Sequence, residues 1–203
     1  MPGPTASESV SSHLSDTTPP TPPGTLTVIL GCMFSGKTTD LLRRLASQPE
    51  GSAVAFKHLI DDRYDSHSIV THAGKAIPGI AVAGAGELRN RIDDGIKLVA
   101  VDEGHFFCEP LADVCRELTE RALDVVVTSL DVDSWGRPFR VARELARCAN
   151  EIVVRHAVCG RCGIRADRTQ RLTPIVGCRM VGGADDYEPR CQRCWTPPPE
   201  PPP

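Results

Sequence analysis

The chain has 203 residues, 40% of them hydrophobic and 24% charged, with a formal net charge of -3. That composition is ordinary for a globular protein of one moderate domain with an appendage and a real core, and it gives no broad basic footprint, so general nucleic-acid binding is not favoured while a local patch stays open. No membrane span is read, and the N-terminus lacks the charged-then-apolar pattern of a secretory signal.

Residues 1–24 are dominated by Ser, Thr, Pro and Gly and offer too little apolar surface to offset ordering entropy, so a disordered leader is expected. Thr25-Leu-Thr-Val-Ile-Leu30 reads as a buried strand, and Thr39-Asp-Leu-Leu-Arg-Arg-Leu-Ala46 as a helix. Between them, Gly31-Cys32-Met33-Phe34-Ser35-Gly36-Lys37-Thr38 fits the phosphate-binding pattern G-x-x-x-x-G-K-[ST] without a mismatch. Glycines let consecutive backbone amides and a helix N-terminus face one anion, Lys37 adds a point charge, and the Thr38 hydroxyl can reach Mg²⁺. A chance strand-to-helix turn is the bland alternative, and the flanking elements favour a nucleoside triphosphate site. Nine cysteines beside such a loop fit a reducing, cytoplasmic setting better than a disulfide framework.

Further along, Ala53-Val-Ala-Phe-Lys57 is a short strand, and the polar run from His58 to Gly79 reads as a loop with active-site potential. Leu98-Val-Ala-Val101 is a strand ending in Asp102-Glu103; residues 112–123 are an amphipathic helix; Val125-Val-Val-Thr-Ser-Leu130 is a strand ending in Asp131. Residues 141–149 are helical, and Glu151-Ile-Val-Val-Arg155 is the last strand. Alternating strands and helices predict an α/β fold, a parallel sheet covered by helices, over residues 25–155, with acids just past the strand ends where such sheets gather ligands. An acid at a strand end can face the nucleotide's Mg²⁺ while its neighbour accepts a proton from an attacking hydroxyl; spacing does not say which of Asp102 and Glu103 does which. Asp61-Asp-Arg-Tyr64 alone reads as a surface turn with an ion pair, and His72 and His105 as structural.

Cys159-Gly-Arg-Cys162 and Cys191-Gln-Arg-Cys194 form two C-x-x-C knuckles around residues 163–190. Four thiolates make a closed zinc site, which would tie that segment into a lasso over residues 156–195; a redox pair or two disulfides is the rival reading. Cys32, Cys108, Cys115, Cys148 and Cys178 lack paired spacing and read as core thiols. Gly182-Gly183 inside the lasso suggests a close backbone approach. The tail, residues 196–203, is expected to be an extended spacer.

In this order the motifs resemble the type II thymidine kinases, a cytosolic family with a RecA-like P-loop domain and a zinc-bound lasso. The resemblance covers residues 25–195 and rests on Gly31 to Arg44, Asp61-Asp-Arg-Tyr64 with Thr71-His72, and Asp102-Glu-Gly-His-Phe-Phe107. To these it adds Leu130-Asp131 with Pro138-Phe139, Thr169-Gln-Arg-Leu172, Val181-Gly-Gly-Ala-Asp-Asp-Tyr187 and both cysteine pairs. It implies transfer of the ATP γ-phosphoryl group to the 5′-hydroxyl of deoxythymidine with Mg²⁺, and a homotetramer acting without membrane or nucleic acid. By motif, Glu103 matches the general base, Asp102 and Thr38 the Mg²⁺ positions, and Lys37 and Arg63 the groups that neutralise transferring phosphate. Gly31, Ser35, Gly36, Thr39 and Asp61 match the nucleotide side. Met33, Leu130 and Thr169 match the pocket around the thymine methyl, Phe106 and Phe139 its aromatic wall. Met180, Val181, Gly182 and Gly183 match the segment covering the base, with Tyr187 near the sugar. A methyl pocket contributes only about 1–3 kcal/mol, so deoxyuridine is expected to be a leaky competitor.

The sequence departs from the family at His105, where Gln is usual, at Cys178, usually aliphatic, and at Ser134, where an aromatic ring is common. Either the adjacent Trp135 takes the missing ring's place or thymidine binds less tightly. A P-loop ATPase acting on nucleic acid is the rival class; it would need a basic stripe or aromatic-rich face, and aromatics are 4% of residues. A zinc interaction module would leave the phosphate loop unexplained.

Overall fold

The computed structural model describes residues 22–61, 68–70, 74, 76–107, 110–174 and 181–199. In chain order the first unit contains β1 (Leu26–Leu30), α1 (Lys37–Ala46), β2 (Ala53–His58), β3 (Ser68–Val70), β4 (Ala76–Pro78), β5 (Ile80–Val82) and α2 (Ala85–Arg89). It continues with β6 (Leu98–Val101), a 3-10 turn at Gly104–Phe106, α3 (Pro110–Glu120), β7 (Asp124–Ser129), α4 (Arg140–Cys148) and β8 (Glu151–Val154). Six strands form one sheet in the order β5-β2-β6-β7-β1-β8, every pairing parallel.

Both faces of this sheet are covered, which is why its strands read as nearly continuous apolar runs. On one face Val28, Phe56, Val99, Val101, Val125 and Val127 pack under α2, α3 and α4 through Leu88, Leu111, Leu118 and Leu145. On the other, Ile29, Ala55, Leu98, Ala100 and Val126 meet Leu41 and Leu42 of α1 and Ile69 of β3. The α/β expectation is met, with helices on both faces. β7 lies between the phosphate-loop strand β1 and the acidic strand β6, as the RecA-like reading requires.

The polar run after His58 is only partly loop: β3 and β4 form an antiparallel pair, and β5 adds a parallel edge strand beside β2. Three-residue strands punctuated by Gly79 and Gly84 are too short to set up a hydrophobic period, and α2, five residues long, escapes the pattern for the same reason.

The second unit is built from two antiparallel pairs, β9 (Ala157–Val158) with β10 (Arg165–Ala166) and β11 (Arg168–Arg171) with β12 (Tyr187–Arg190). The first cysteine pair lies between β9 and β10, and the second directly follows β12. Thr196, the first residue of the segment expected to be a spacer, is held against this unit: the Gln170 side chain accepts from the Thr196 N–H and donates to its carbonyl, both at 2.8 Å.

Candidate active site

The carboxyl end of β1 runs into the phosphate loop, whose curl depends on Gly31. A Cβ there would lie 2.2 Å from the Arg155 carbonyl oxygen, and φ is +150°. Gly36 caps α1 with φ 83°, and the helix starts at Lys37, two residues before the expected Thr39. Lys37 Nζ is buried and donates to the Cys32 carbonyl at 2.9 Å, so the ammonium sits inside the curl. Ser35 Oγ is buried with no hydrogen-bond partner among the described residues, while Thr39 is exposed on the helix.

Across from the loop, Asp102 follows the last residue of β6. Thr38 Oγ1 lies 3.2 and 3.3 Å from its two carboxylate oxygens, so the paired positions read from the motifs do meet. Thr128 of β7, which sequence reasoning did not single out, ties this corner together: its hydroxyl donates to Asp102 Oδ1 and accepts the Glu103 N–H at 3.1 Å. Glu103 has left-handed backbone, φ 52° and ψ 49°, a conformation that costs a non-glycine residue about 1–3 kcal/mol and clusters at functional sites. His105 is in the site rather than behind it. Its Nδ1 accepts the Leu130 N–H at 3.3 Å and lies 3.5 Å from Glu103 Oε2, and its ring packs against Phe106 and Phe139 with centroids 4.2 and 5.0 Å away.

These groups open on a cavity of about 320 Å³. From the first unit it takes Met33 of the phosphate loop, Glu103, Phe106, Leu130 and Phe139, and from the second Thr169, Val181, Gly182 and Tyr187. Residues scattered over most of the sequence thus converge on one wall-to-wall space. Ile60, His105, Asp133, Ser134, Trp135 and Arg137 line it too; of the two outcomes left open for the missing ring, Trp135 does reach the cavity. Gly183 stands just outside, its N–H 3.4 Å from the Asp186 carboxylate that folds the turn. Tyr187 is buried, its hydroxyl accepting from Arg171 Nη1 at 2.6 Å. Asp61 is buried just past β2. Arg63, with Tyr64, Thr71 and His72, and Met180 with Cys178, lie outside the described residues, as does Cys108.

Hydrogen bonds join the phosphate loop to the second unit. The Met33 N–H donates to Thr169 Oγ1 at 3.1 Å, and Cys32 Sγ, fully buried, reaches the Ala166 carbonyl at 3.6 Å. Burial pushes the Cys32 thiol up, as it does Cys115 and Cys148, so these are packed thiols and not nucleophiles.

The sulfurs of Cys159, Cys162, Cys191 and Cys194 all lie within 4.8 Å of one another, and none is in a disulfide. A tetrahedral zinc with bonds of about 2.3 Å needs sulfurs about 3.8 Å apart, so the set fits that ion. The surroundings fit as well. Desolvation pushes Cys159 up, but backbone hydrogen bonds from Cys191, Arg161 and Cys162 outweigh it and bring the thiol down to about 6. Cys194 is pushed up to about 12, first by its hydrogen bond with Cys162 and then by burial. Four thiols this close cannot all ionise until a cation sits between them.

A complete phosphate loop after β1, an acidic pair after β6 with only β7 between the two strands, and a cavity lined from both define a nucleotide-dependent P-loop phosphotransferase. Comparison with known proteins narrows that class. The family model described as thymidine kinase matches residues 24–195. A thymidine kinase of Rhodothermus sp. (strain ITI 518) is 38% identical over 177 residues, covering 86% of this chain and 83% of the relative. Thymidine kinases of Bdellovibrio bacteriovorus, 37% identical over 86% of each chain, and Mesoplasma florum, 34% identical over 85% of this chain and 91% of the relative, are also similar. The chain belongs to the thymidine kinase family. Among the described residues no helix is long and apolar enough to cross a membrane.

Proposed function

We propose that the chain transfers the γ-phosphoryl group of ATP to the 5′-hydroxyl of deoxythymidine, giving the nucleoside monophosphate and ADP. The observation carrying this reading is the cavity in which Met33 of the phosphate loop and Glu103 meet Thr169, Val181, Gly182 and Tyr187 of the cysteine-bearing unit. A space of this size, beside both an acid and the phosphate-loop backbone, supports a nucleoside acceptor.

In this reading the loop amides of Gly31 to Thr38, with Ser35, Gly36 and Thr39, receive the triphosphate, and Lys37 balances its charge. Thr38 and Asp102 would hold Mg²⁺, which when bound neutralises charge on the transferring phosphoryl; Asp61 contributes to the same side. Glu103 takes the proton of the 5′-hydroxyl as that oxygen bonds to the γ-phosphorus and the β–γ bridging bond breaks, a role worth about 10²- to 10⁴-fold in rate. Arg63 stabilises the charge in flight. Phe106, Phe139, Met33, Leu130 and Thr169 enclose the base, Met180 to Gly183 cover it through backbone groups, and Tyr187 borders the sugar. Cys159, Cys162, Cys191 and Cys194 would hold a structural zinc that closes the covering segment. The two units, 25–155 and 156–195, act as one catalytic body, in a homotetramer and in the cytoplasm, where a reducing environment keeps the four thiols available to metal.

Phosphorylation of radiolabelled thymidine by the purified, zinc-loaded chain with ATP and Mg²⁺ tests this. Glu103→Gln should retain ATP binding and lose at least 100-fold in kcat, about the lower limit for a general base. Near-normal turnover would reject Glu103 as the base, and DNA-stimulated ATP hydrolysis without thymidylate would reject the kinase itself. Sedimentation of the same protein reports the assembly.

A further inference from the structure

The Pro-rich C-terminal segment was expected to be inert, yet it is fastened at both ends of a short span. At its start the Trp195 N–H donates to the Cys191 carbonyl at 2.9 Å, and the Gln170 carboxamide exchanges two hydrogen bonds with the Thr196 backbone. The Trp195 ring lies over Gly136, where a Cβ would meet it at 3.1 Å and where φ is +79°, so this close approach needs glycine. At the far end the Pro199 carbonyl accepts the indole N–H of Trp135 at 3.1 Å. Trp135 lines the cavity, and Arg137 stacks its guanidinium 4.5 Å from the ring centroid.

We propose that Trp195 to Pro199 is a strap that sets Trp135 as the outer ring of the acceptor cavity, making Trp135 a specificity-determining residue positioned by the Pro199 carbonyl. The proposal rests on the reading of the cavity as the nucleoside site. The physical logic is direct. An indole brought to a cavity wall still needs an acceptor for its N–H, and a ring with only one face held by a cation can tilt. A run of prolines supplies that acceptor at small entropic cost, because each fixes φ and has no N–H to satisfy. Because the strap leaves directly from the second cysteine pair, the ring is referenced to the same unit that supplies Thr169 and Tyr187. Position 134, where the family commonly carries an aromatic ring, is here the buried Ser134, and the neighbouring tryptophan with its strap does that work.

Three variants of this protein test it: a chain ending at Thr196, Trp135→Phe, and the two combined, with Phe139→Leu as a probe of the cavity's inner wall. Loss of one neutral hydrogen bond corresponds to roughly three- to tenfold, so the shortened chain should show a thymidine KM at least threefold higher with the ATP KM within twofold. Trp135→Phe, which keeps an aromatic face but drops the donor together with part of the ring area, should give a thymidine KM rise of at least the same size with the ATP KM within twofold, and shortening that variant should add less than twofold. Calorimetric titration with thymidine should reproduce these ratios without turnover. A rise below threefold in Trp135→Phe, an equal rise in the ATP KM, or additive effects would overturn the strap. If Phe139→Leu raises the thymidine KM while the strap variants do not, the cavity reading stands and the strap falls; if Phe139→Leu is also silent, the cavity reading is what fails.

Discussion

Thr169→Val isolates the joint between the phosphate loop and the cysteine-bearing unit. Thr169 is 2% exposed and its Oγ1 accepts the Met33 N–H at 3.1 Å. Valine keeps the shape and removes the acceptor, leaving a buried loop amide without its bond at a cost of about 1–3 kcal/mol. For a protein of this size each 1 kcal/mol shifts the melting temperature by about 2–4 °C, so a loss near the middle of that range lowers it by about 4–8 °C. Since the freed amide belongs to the phosphate loop, the ATP KM should rise as well. Thr169→Ser keeps the hydroxyl and removes only the methyl group, about 0.8 kcal/mol of burial, and should spare the ATP KM while loosening thymidine. Differential scanning calorimetry and two-substrate kinetics on wild type and both variants read these effects. An unchanged ATP KM in Thr169→Val, or an equally raised one in Thr169→Ser, would refute the claim that this hydroxyl positions the loop.

Thr128→Val should lower kcat more than either KM, because it removes the hydroxyl that fixes Asp102 and caps the Glu103 amide; steady-state kinetics at saturating ATP reads it. Cys191→Ser should reduce bound zinc to below half of wild type, measured by metal analysis after dialysis, and raise the thymidine KM, since metal binding in small zinc modules is a folding term of about 10–16 kcal/mol. Asp40→Asn tests by pH the ion pairs that Asp40 of α1 makes with Arg43 and Arg155. Burial pushes the Asp40 carboxyl up, but the guanidinium groups of Arg155 and Arg43 outweigh it and hold it below the ordinary 3.8. A depressed native pKa stabilises fully above the unfolded value and is lost as pH falls through the native one. The variant should therefore be less stable by about 1–2 kcal/mol at pH 7, a figure reduced because both arginines keep partial contact with water. Urea titrations should show that gap closing below about pH 3.8; a gap constant with pH would show that the carboxylate charge is not what matters.

Most of the sheet was legible because buried strands such as Leu98–Val101 and Asp124–Ser129 carry three or four consecutive apolar residues. The phosphate loop, the Asp102-Glu103 pair and the cysteine pairs were legible because their chemistry fixes both residue type and spacing. What escaped was set by tertiary contact. Thr128 is one β-branched residue in a valine strand, and only the parallel register of β6 with β7, Val101 opposite Val127, brings it beside Asp102. The left-handed backbone of Glu103 and the place of His105 against Glu103 and Phe139 leave no local trace. The strap escaped for a different reason. Composition correctly says that a Pro-rich run cannot build a core, but it does not exclude such a run being held one hydrogen bond at a time by Gln170 and Trp135.

The four positions that the phosphate-loop pattern leaves free are where this chain departs from a generic nucleotide site. Gly31, Gly36, Lys37 and Thr38 are the positions that the pattern fixes, and Thr38 sits beside Asp102. Cys32 instead turns fully buried into the cluster with Ala157, Cys159, Ala166 and Cys191, next to the thiols that fit zinc. Met33 sends its side chain to the cavity and its N–H to Thr169. One eight-residue loop therefore carries the phosphate pattern, lines the cavity and touches the cysteine-bearing unit. Displacing the second unit by even an ångström must move the Met33 amide, and misplacement on that scale can cost a positioned reaction about 10²-fold. On this account zinc loss should impair ATP use together with thymidine use, whereas a cysteine cluster acting only as a lid clasp would leave the ATP side untouched.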